Sequence, residues 1–271
     1  MSSESSGKKR EEVSKRDYVE RGVYQSSPLG TGIFVGLRAF DPFLQYGILR
    51  HNYGTPLLHR LGASVLPPGP PLITGISLLD KLSLSPYRSI LLAMSIGSAL
   101  KQNYWVVGIQ NEAMPPSGAI TVSLFNTLAN SINSFLFICS ATSASANGEH
   151  FPQTPLLVGS ALYVAGLTTE LVSEIQRRNF KRKTENKGKV CDRGLWSWSR
   201  HINYGGYMLW RSGYALAAGG WVWGAFTAAL ATYDFVGRAI PVLDQYCEKR
   251  YGEQWKSFRE RVPYQFLPLI Y

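Results

Sequence analysis

The sequence predicts an all-α protein, a polytopic integral membrane helix bundle with about five to seven membrane segments. Long runs without charge are the first observation, and the concentration of charge between those runs is the second. Charged residues make up only 17% of the chain, whereas soluble domains average roughly 25%. The segments must be helical, because a sheet with open edges leaves unpaired backbone groups in lipid.

Three runs give the strongest candidate spans. No charged residue lies between Glu112 and Glu149, and about 20 apolar residues suffice to cross a bilayer, so a span is predicted near residues 117–141. Two further runs, 151–169 and 212–233, also carry no charge. The alternative for each run is a buried helix of a soluble α-protein.

Two weaker candidates, near 30–50 and 88–109, contain charged residues. Arg38 and Asp41 lie three positions apart and are predicted to pair with each other. Lys101 comes late in its run, where its long side chain could reach the interface. Charges inside a span usually mark a pair, a cavity or a ligand path.

A strongly basic loop, 177–200, follows the second charge-free run. Nine basic residues oppose Glu185 and Asp192, a balance of +7 (9 − 2). The positive-inside rule places this loop and the net basic tail, 248–261, in the cytosol. A hairpin between residues 205 and 243, turning near Gly224 or Tyr233, is therefore predicted.

The same loop argues for contact with membrane lipids and against nucleic acid. Anionic lipids attract basic loops of this kind, and no basic helix with interleaved aromatic residues stands clear of the spans. The chain has no glycine-rich turn after a strand, which excludes a Rossmann or P-loop site. Its three cysteines lack the spacing of a zinc site, so no metal is expected.

Two patterns in the C-terminal part resemble a known family. The first runs Glu174-Ile-Gln-Arg-Arg-Asn-Phe-Lys181 and continues at Ser199-Arg-His-Ile-Asn-Tyr204. The second is the tail from Cys247 through Tyr251-Gly252, Trp255, Phe258 and Val262-Pro263-Tyr264 to Tyr271. Over about residues 165–271 the chain resembles the steroid 5-alpha reductase C-terminal domain family, and the tail is similar to the sterol C14, C24 and C7 reductases.

This resemblance implies an endoplasmic-reticulum membrane enzyme that uses NADPH to reduce a carbon–carbon double bond in a sterol or other lipidic substrate. It implies three parts: a polar cytosolic tail at 1–27, N-terminal membrane helices on the substrate side at 28–150, and a reductase-like membrane domain at 151–271. The residues implied to hold the cofactor are Arg177, Lys181, Trp196, Arg200, His201, Asn203 and Tyr204.

One departure leaves the catalytic residues unassigned. The sterol enzymes carry an Arg-Asp pair just before the cysteine that matches Cys247, and here Val242-Leu243 stands in its place. Two alternatives therefore stay open. The first is an S-adenosylmethionine-dependent membrane methyltransferase of the isoprenylcysteine or phospholipid type, which has a similar Arg-His-x-x-Tyr stretch. The second is a non-catalytic membrane protein that retains the fold.

The charge pattern makes a prediction about topology. Tags inserted in loop 177–200 and at the C-terminus should both be accessible from the cytosol in cells whose plasma membrane alone is permeabilised. A C-terminus that is reached only after the internal membranes are opened would contradict the hairpin between residues 205 and 243.

Overall fold

The computed structural model describes residues 22–146 and 148–271. Most of the predicted polar tail, 1–27, lies outside the described residues. Within them every element is helical, and the only strand-like feature is an isolated bridge between Val65 and Cys139. The predicted all-α class is confirmed for this part of the chain.

Nine α-helices make up the described fold, together with short 3₁₀ turns and two π-helical turns. In chain order they are α1 Pro28–His51, α2 Thr55–Arg60, α3 Ser77–Asp80, α4 Pro86–Tyr104, α5 Pro116–Ile138, α6 Thr154–Arg182, α7 Ile202–Asp234, α8 Ile240–Tyr251 and α9 Glu253–Arg261. The π-helical turns, Trp105–Ile109 and Phe235–Ala239, continue α4 and α7.

Proline starts most of the long helices. Pro28, Pro86, Pro116 and Pro155 each occupy one of the first two positions of their helix. Proline is suited to this place because its fixed φ is already helical and its missing N–H would have no partner there. The helix starts are therefore encoded locally.

Two helical stretches, Thr154–Arg182 and Ile202–Tyr251, are long and apolar enough to cross a membrane. Five to seven membrane segments were predicted, and two helical stretches in the described part of the chain meet this test of length and hydropathy. The outer surface nevertheless carries large apolar side chains on several helices, among them Phe43, Leu128 and Val222, which are 72%, 61% and 85% exposed. Exposed apolar area on this scale suits a lipid environment.

Glycines bring α6 and α7 into backbone contact. A Cβ atom at Gly159 would lie 2.5 Å from the carbonyl oxygen of Gly213, and one at Gly166 would lie 2.6 Å from that of Gly206. Small residues at seven-residue spacing on both helices thus face one another, as in close helix pairs of membrane proteins. This contact fixes the antiparallel register of α6 and α7.

The chain reverses direction inside α7, at Gly220. This residue has φ +77° and ψ −171°, which is not helical and which glycine adopts readily. The two arms, 202–219 and 221–234, then run back along each other, so that Phe235 stacks on Tyr204 with ring centroids 4.8 Å apart. The turn lies four residues before Gly224 and 13 before Tyr233, the two predicted positions.

Replacing Gly213 by alanine should destabilise the protein by about 1–3 kcal/mol, the usual effect of overpacking. Its Cβ would lie 2.6 Å from both the Gly159 oxygen and the Tyr163 nitrogen. Gly36→Ala on α1 is the matched control, because no atom lies within 4 Å of its Cβ position. Thermal unfolding in one detergent compares the two, and equal melting temperatures would contradict the proposed contact.

Candidate functional site

The candidate site lies where the end of α6 meets the start of α7. The loop 183–201 and the C-terminal tail cover this meeting point. Leu195 N–H donates to Gln176 Oε1 at 2.9 Å, and the indole N–H of Trp196 donates to the Ser173 carbonyl at 2.8 Å. These bonds hold the loop against the last turns of α6.

Glu174 is the centre of the first polar cluster. One carboxylate oxygen accepts from Asn203 Nδ2 at 2.8 Å and the other pairs with Arg177 at 2.7 Å. Glu174 is 3% exposed and Asn203 is 8% exposed. The side-chain oxygen of Asn203, Oδ1, has no hydrogen-bond partner among the described residues. A buried acceptor is therefore open at the start of α7.

Arg177 lies between Glu174 and the face of Trp196. Its guanidinium carbon is 5.1 Å from the centroid of that ring, close enough for a cation–π contact. A partly buried cation held by a carboxylate on one side and an indole on the other has a defined position. These two contacts fix Arg177, whose side chain is 36% exposed, at the mouth of the site.

His201 forms the second polar cluster with Asp244 of α8. Its Nε2 lies 2.8 Å from Asp244 Oδ1, and its ring stacks on Tyr204 with centroids 5.6 Å apart. Burial lowers the pKa of His201, against the opposing effect of Asp244, so the imidazole is neutral at pH 7. With Nε2 donating to the carboxylate, Nδ1 is an acceptor, and it has no partner among the described residues.

Arg200 ties the tail to the site. Its Nη1 donates to the carbonyls of Val262 and Pro263 at 2.7 and 2.8 Å. The backbone N–H groups of Arg200 and His201 donate to the carbonyls of Tyr264 and Gln265. The tail thereby lies against the start of α7, and burial lowers the pKa of Arg200.

Lys181 reaches the tail from the last turn of α6. Its ammonium group donates to the Tyr251 hydroxyl at 2.9 Å and to the Lys189 carbonyl. Beside it lies a cleft of about 440 Å³, whose charged lining includes Lys189, Asp192, Arg193 and Arg261. This cleft is large enough for a nucleoside group, and with Glu253 its charged lining comprises three cations and two carboxylates.

The structure therefore brings all seven predicted cofactor residues to one end of the bundle. Trp196 and Tyr204 serve there as packing surfaces for Arg177 and His201. Val242 and Leu243, which stand where the sterol enzymes have a charged pair, are buried, and Leu243 packs in an apolar cluster with Cys247 and Trp255.

Sequence reasoning missed two carboxylates of this site. The sequence analysis assigned neither Glu174 nor Asp244 to the site. The signal for Glu174 was its helical spacing from Arg177, three positions away on the same face. The pairing of His201 with Asp244 joins residues 43 positions apart, which no local pattern reveals.

The structure also shows the partners of three charged residues inside the predicted spans, Arg38, Asp41 and Lys101. Arg38 and Asp41 pair at 3.3 Å, as predicted. Lys101, in contrast, does not extend to an interface, because its ammonium forms a buried ion pair with Glu170. Glu170 in turn accepts from the Trp210 indole at 2.6 Å. The charge of Lys101 is therefore balanced by a carboxylate of α6 and not by solvent.

Comparison with family models identifies the group to which the chain is related. Residues 117–262, more than half of the chain, match the model described as "Protein of unknown function (DUF1295)". The chain belongs to this DUF1295 family. A probable O-methyltransferase ustE of Ustilaginoidea virens is 43% identical over 242 residues, which cover 88% of this chain and 85% of that protein.

This DUF1295 chain is also similar to sterol reductases over a shorter length, which confirms that part of the predicted resemblance. A probable 7-dehydrocholesterol reductase of Acanthamoeba polyphaga mimivirus is 38% identical over 89 residues, 31% of this chain. A Delta(14)-sterol reductase of Methylotuvimicrobium alcaliphilum is 28% identical over 131 residues, 41% of this chain. The chain spans 19% and 29% of the lengths of these two reductases.

Among solved structures, the eukaryotic intramembrane Ras methyltransferase ICMT (isoprenylcysteine carboxyl methyltransferase) aligns with 90% of this chain and 99% of that one. The sequence identity is 12% and the TM-score is 0.38.

A cofactor that fits this site must donate hydrogen bonds to its two open acceptors. Asn203 Oδ1 and His201 Nδ1 both require hydrogen-bond donors, and each belongs to a residue bound to a carboxylate. S-adenosylmethionine offers an α-ammonium group, ribose hydroxyls and an adenine amine. NADPH also offers ribose hydroxyls, an adenine amine and a carboxamide N–H, but it has no cationic group and carries several phosphates, so it depends on the cations around the site.

Replacing Arg200 by alanine should loosen the tail and destabilise the protein by about 2–3 kcal/mol, because two hydrogen bonds from a buried cation are lost. Carboxypeptidase should then trim residues 262–271 faster. Arg259→Ala, an exposed arginine on α9, is the control and should leave the trimming rate unchanged. Equal trimming of the two variants would show that Arg200 does not hold the tail.

Proposed function

We propose that this protein is a membrane-embedded, S-adenosylmethionine-dependent O-methyltransferase acting on a lipidic substrate. The observation that carries the proposal is the pair of buried open acceptors, Asn203 Oδ1 and His201 Nδ1, each next to a carboxylate. A compound with cationic ammonium and sulfonium groups suits acceptors beside two carboxylates better than a polyphosphate does. The relationship along 88% of the chain to a probable O-methyltransferase supports the same assignment.

Glu174 and Arg177 would hold opposite ends of a zwitterion. The α-ammonium group of S-adenosylmethionine suits the Glu174 carboxylate and Asn203 Oδ1, while its carboxylate suits Arg177. His201, neutral and fixed by Asp244, would accept from a ribose hydroxyl or an adenine amine through Nδ1. The bound cofactor supplies an activated methyl group to an oxygen of the substrate.

The chain's own residues provide orientation and exclude water. Trp196, Tyr204 and Phe235 stack around the start of α7, and the tail held by Arg200 closes this end of the bundle. Fixed reactants in a site without water need less reorganisation to react. In this proposal the N-terminal helices, 28–150, line the substrate side and residues 151–271 form the cofactor side.

An NADPH-dependent reductase of a lipidic or sterol carbon–carbon double bond is the second candidate. Two observations favour it: the matches with sterol reductases and the cations around the 440 Å³ cleft, among them Lys189, Arg193 and Arg261. Arg177 and Lys181 would then hold cofactor phosphate. In either case we place the site on the cytosolic face of the endoplasmic reticulum, where both cofactors are supplied.

The two candidates differ in the ligand that stabilises the purified protein. S-adenosylmethionine or S-adenosylhomocysteine should raise the melting temperature, because a ligand that binds only the folded state stabilises it. Asn203→Ala should weaken this binding about 10- to 100-fold, since a hydrogen bond to a charged group contributes about 1.5–3 kcal/mol.

Asn111→Ala is the matched control, because Asn111 is exposed and takes no part in the hydrogen bonds of Glu174, Asn203 and His201 given above. This variant should respond to S-adenosylmethionine like the wild type. Stabilisation by NADPH alone would replace the methyltransferase with the reductase, and stabilisation by neither would leave a protein that keeps the fold without the chemistry.

A further inference from the structure

A third polar cluster, separate from those of Glu174 and His201, lies deep between the N-terminal helices and the first arm of α7. Its members come from α1, α4, α5 and α7, and every one of them is buried. They are Arg38, Asp41, Gln45, Gln102, Asn126, Asn130 and Arg211. We call this set the inner network. It lies within the bundle, about 12 Å farther along α7 than Asn203, since Arg211 follows Asn203 by eight residues of about 1.5 Å rise.

Amide side chains join the two arginines on one side of the network. Arg38 Nε donates to Gln102 Oε1 at 2.6 Å, and Gln102 Nε2 donates to Asn126 Oδ1 at 2.9 Å. Arg211 Nη2 donates to the same Asn126 oxygen. Both guanidinium groups are thereby held in fixed positions within one continuous set of hydrogen bonds.

A single carboxylate closes the other side. Arg211 Nη1 donates to Asn130 Oδ1 at 2.7 Å, and Asn130 Nδ2 donates to Asp41 Oδ2 at 2.6 Å. Arg38 pairs with that Asp41 oxygen at 3.3 Å. Gln45 also donates to Asp41, so this carboxylate is saturated by its neighbours.

The inner network carries one positive charge more than it balances. Two guanidinium groups face one carboxylate, and the nearby charges of Lys101 and Glu170 cancel in their own ion pair. Arg38 is fully buried and Arg211 is 3% exposed. An unbalanced charge at this depth is strongly destabilising unless a counter-ion is supplied.

Unused hydrogen-bond donors accompany the excess charge. Arg38 Nη2, Arg211 Nε and Ser123 Oγ are buried and have no hydrogen-bond partner in the part of the chain that the structure describes. Ser123 lies one turn before Asn126 on α5, on the same helix face. Three donors and one surplus positive charge together suit a single monoanionic acceptor such as a carboxylate.

We propose that the inner network binds the carboxylate of an acidic lipid. Guanidinium groups bind carboxylates with well-defined geometry, and a carboxylate carries the single negative charge that the network lacks. A phosphate would bring up to two charges. That this lipid is the substrate rests on the proposed function, whereas the binding site itself rests on the two arginines.

The proposal is tested with myristate as the probe, on the purified full chain in non-ionic detergent at pH 8. Myristate should raise the melting temperature in a saturable manner. Methyl myristate and myristyl alcohol, which have the same chain and no charge, should have less than a tenth of its affinity. Equal effects of acid and ester would overturn the proposal, and this comparison needs no variant.

Asn126→Asp adds a carboxylate where Arg211 and Gln102 now donate. It should raise the melting temperature of the ligand-free protein and weaken myristate binding at least tenfold. Asn133→Asp is the matched control, the same change two turns along α5 where the partner is Trp223, and it should keep the myristate response. Unchanged binding in Asn126→Asp, if this variant folds, would overturn the proposal.

The same samples separate this proposal from the proposed function. Binding of myristate without any response to S-adenosylmethionine would retain the carboxylate site and remove the methyltransferase. Binding of S-adenosylmethionine with no preference for acid over ester would do the reverse.

Discussion

The close approach of α6 and α7 fixes the register of these two helices and, through it, the position of the candidate site. Backbone oxygens of one helix lie where side chains of the other would be, at Gly159, Gly166, Gly206 and Gly213. This contact leaves no freedom in the register of the two helices. Because the register is fixed, Glu174 near the end of α6 meets Asn203 at the start of α7, and the candidate site forms where the two helices leave the bundle.

The surface of this fold is more apolar, and its interior holds more charge, than is usual in a soluble protein. Large apolar side chains such as Phe43 and Val222 are exposed, whereas Arg38, Asp41 and Arg211 are buried. In lipid the outer surface loses little by staying apolar, and buried polar groups must find partners inside the bundle. The helices therefore associate through glycine contacts and polar bonds, and buried groups without a partner among the described residues are the basis of both proposed binding sites.

Local patterns predicted a large part of this structure. The charge-free runs and the basic loop identified the helical class and the end of the bundle that carries Arg177 to Tyr204. Sequence alone did not reveal the partners that lie far away along the chain. Lys101 pairs with Glu170 and His201 pairs with Asp244, because the register of packed helices sets these contacts. The hairpin turn was misplaced by four residues for a related reason, since either glycine could have made it and only Gly220 has the left-handed backbone.

The most direct test of the account is transfer of a labelled methyl group. Purified protein is incubated with S-adenosylmethionine labelled in its methyl group and with a lipid extract of its own cells, and the organic phase is counted. The account predicts that the label enters the lipid fraction with the wild-type protein and not with Asn203→Ala. No transfer by a folded wild-type protein would contradict it, and oxidation of NADPH by that protein in the presence of the same extract would favour the reductase.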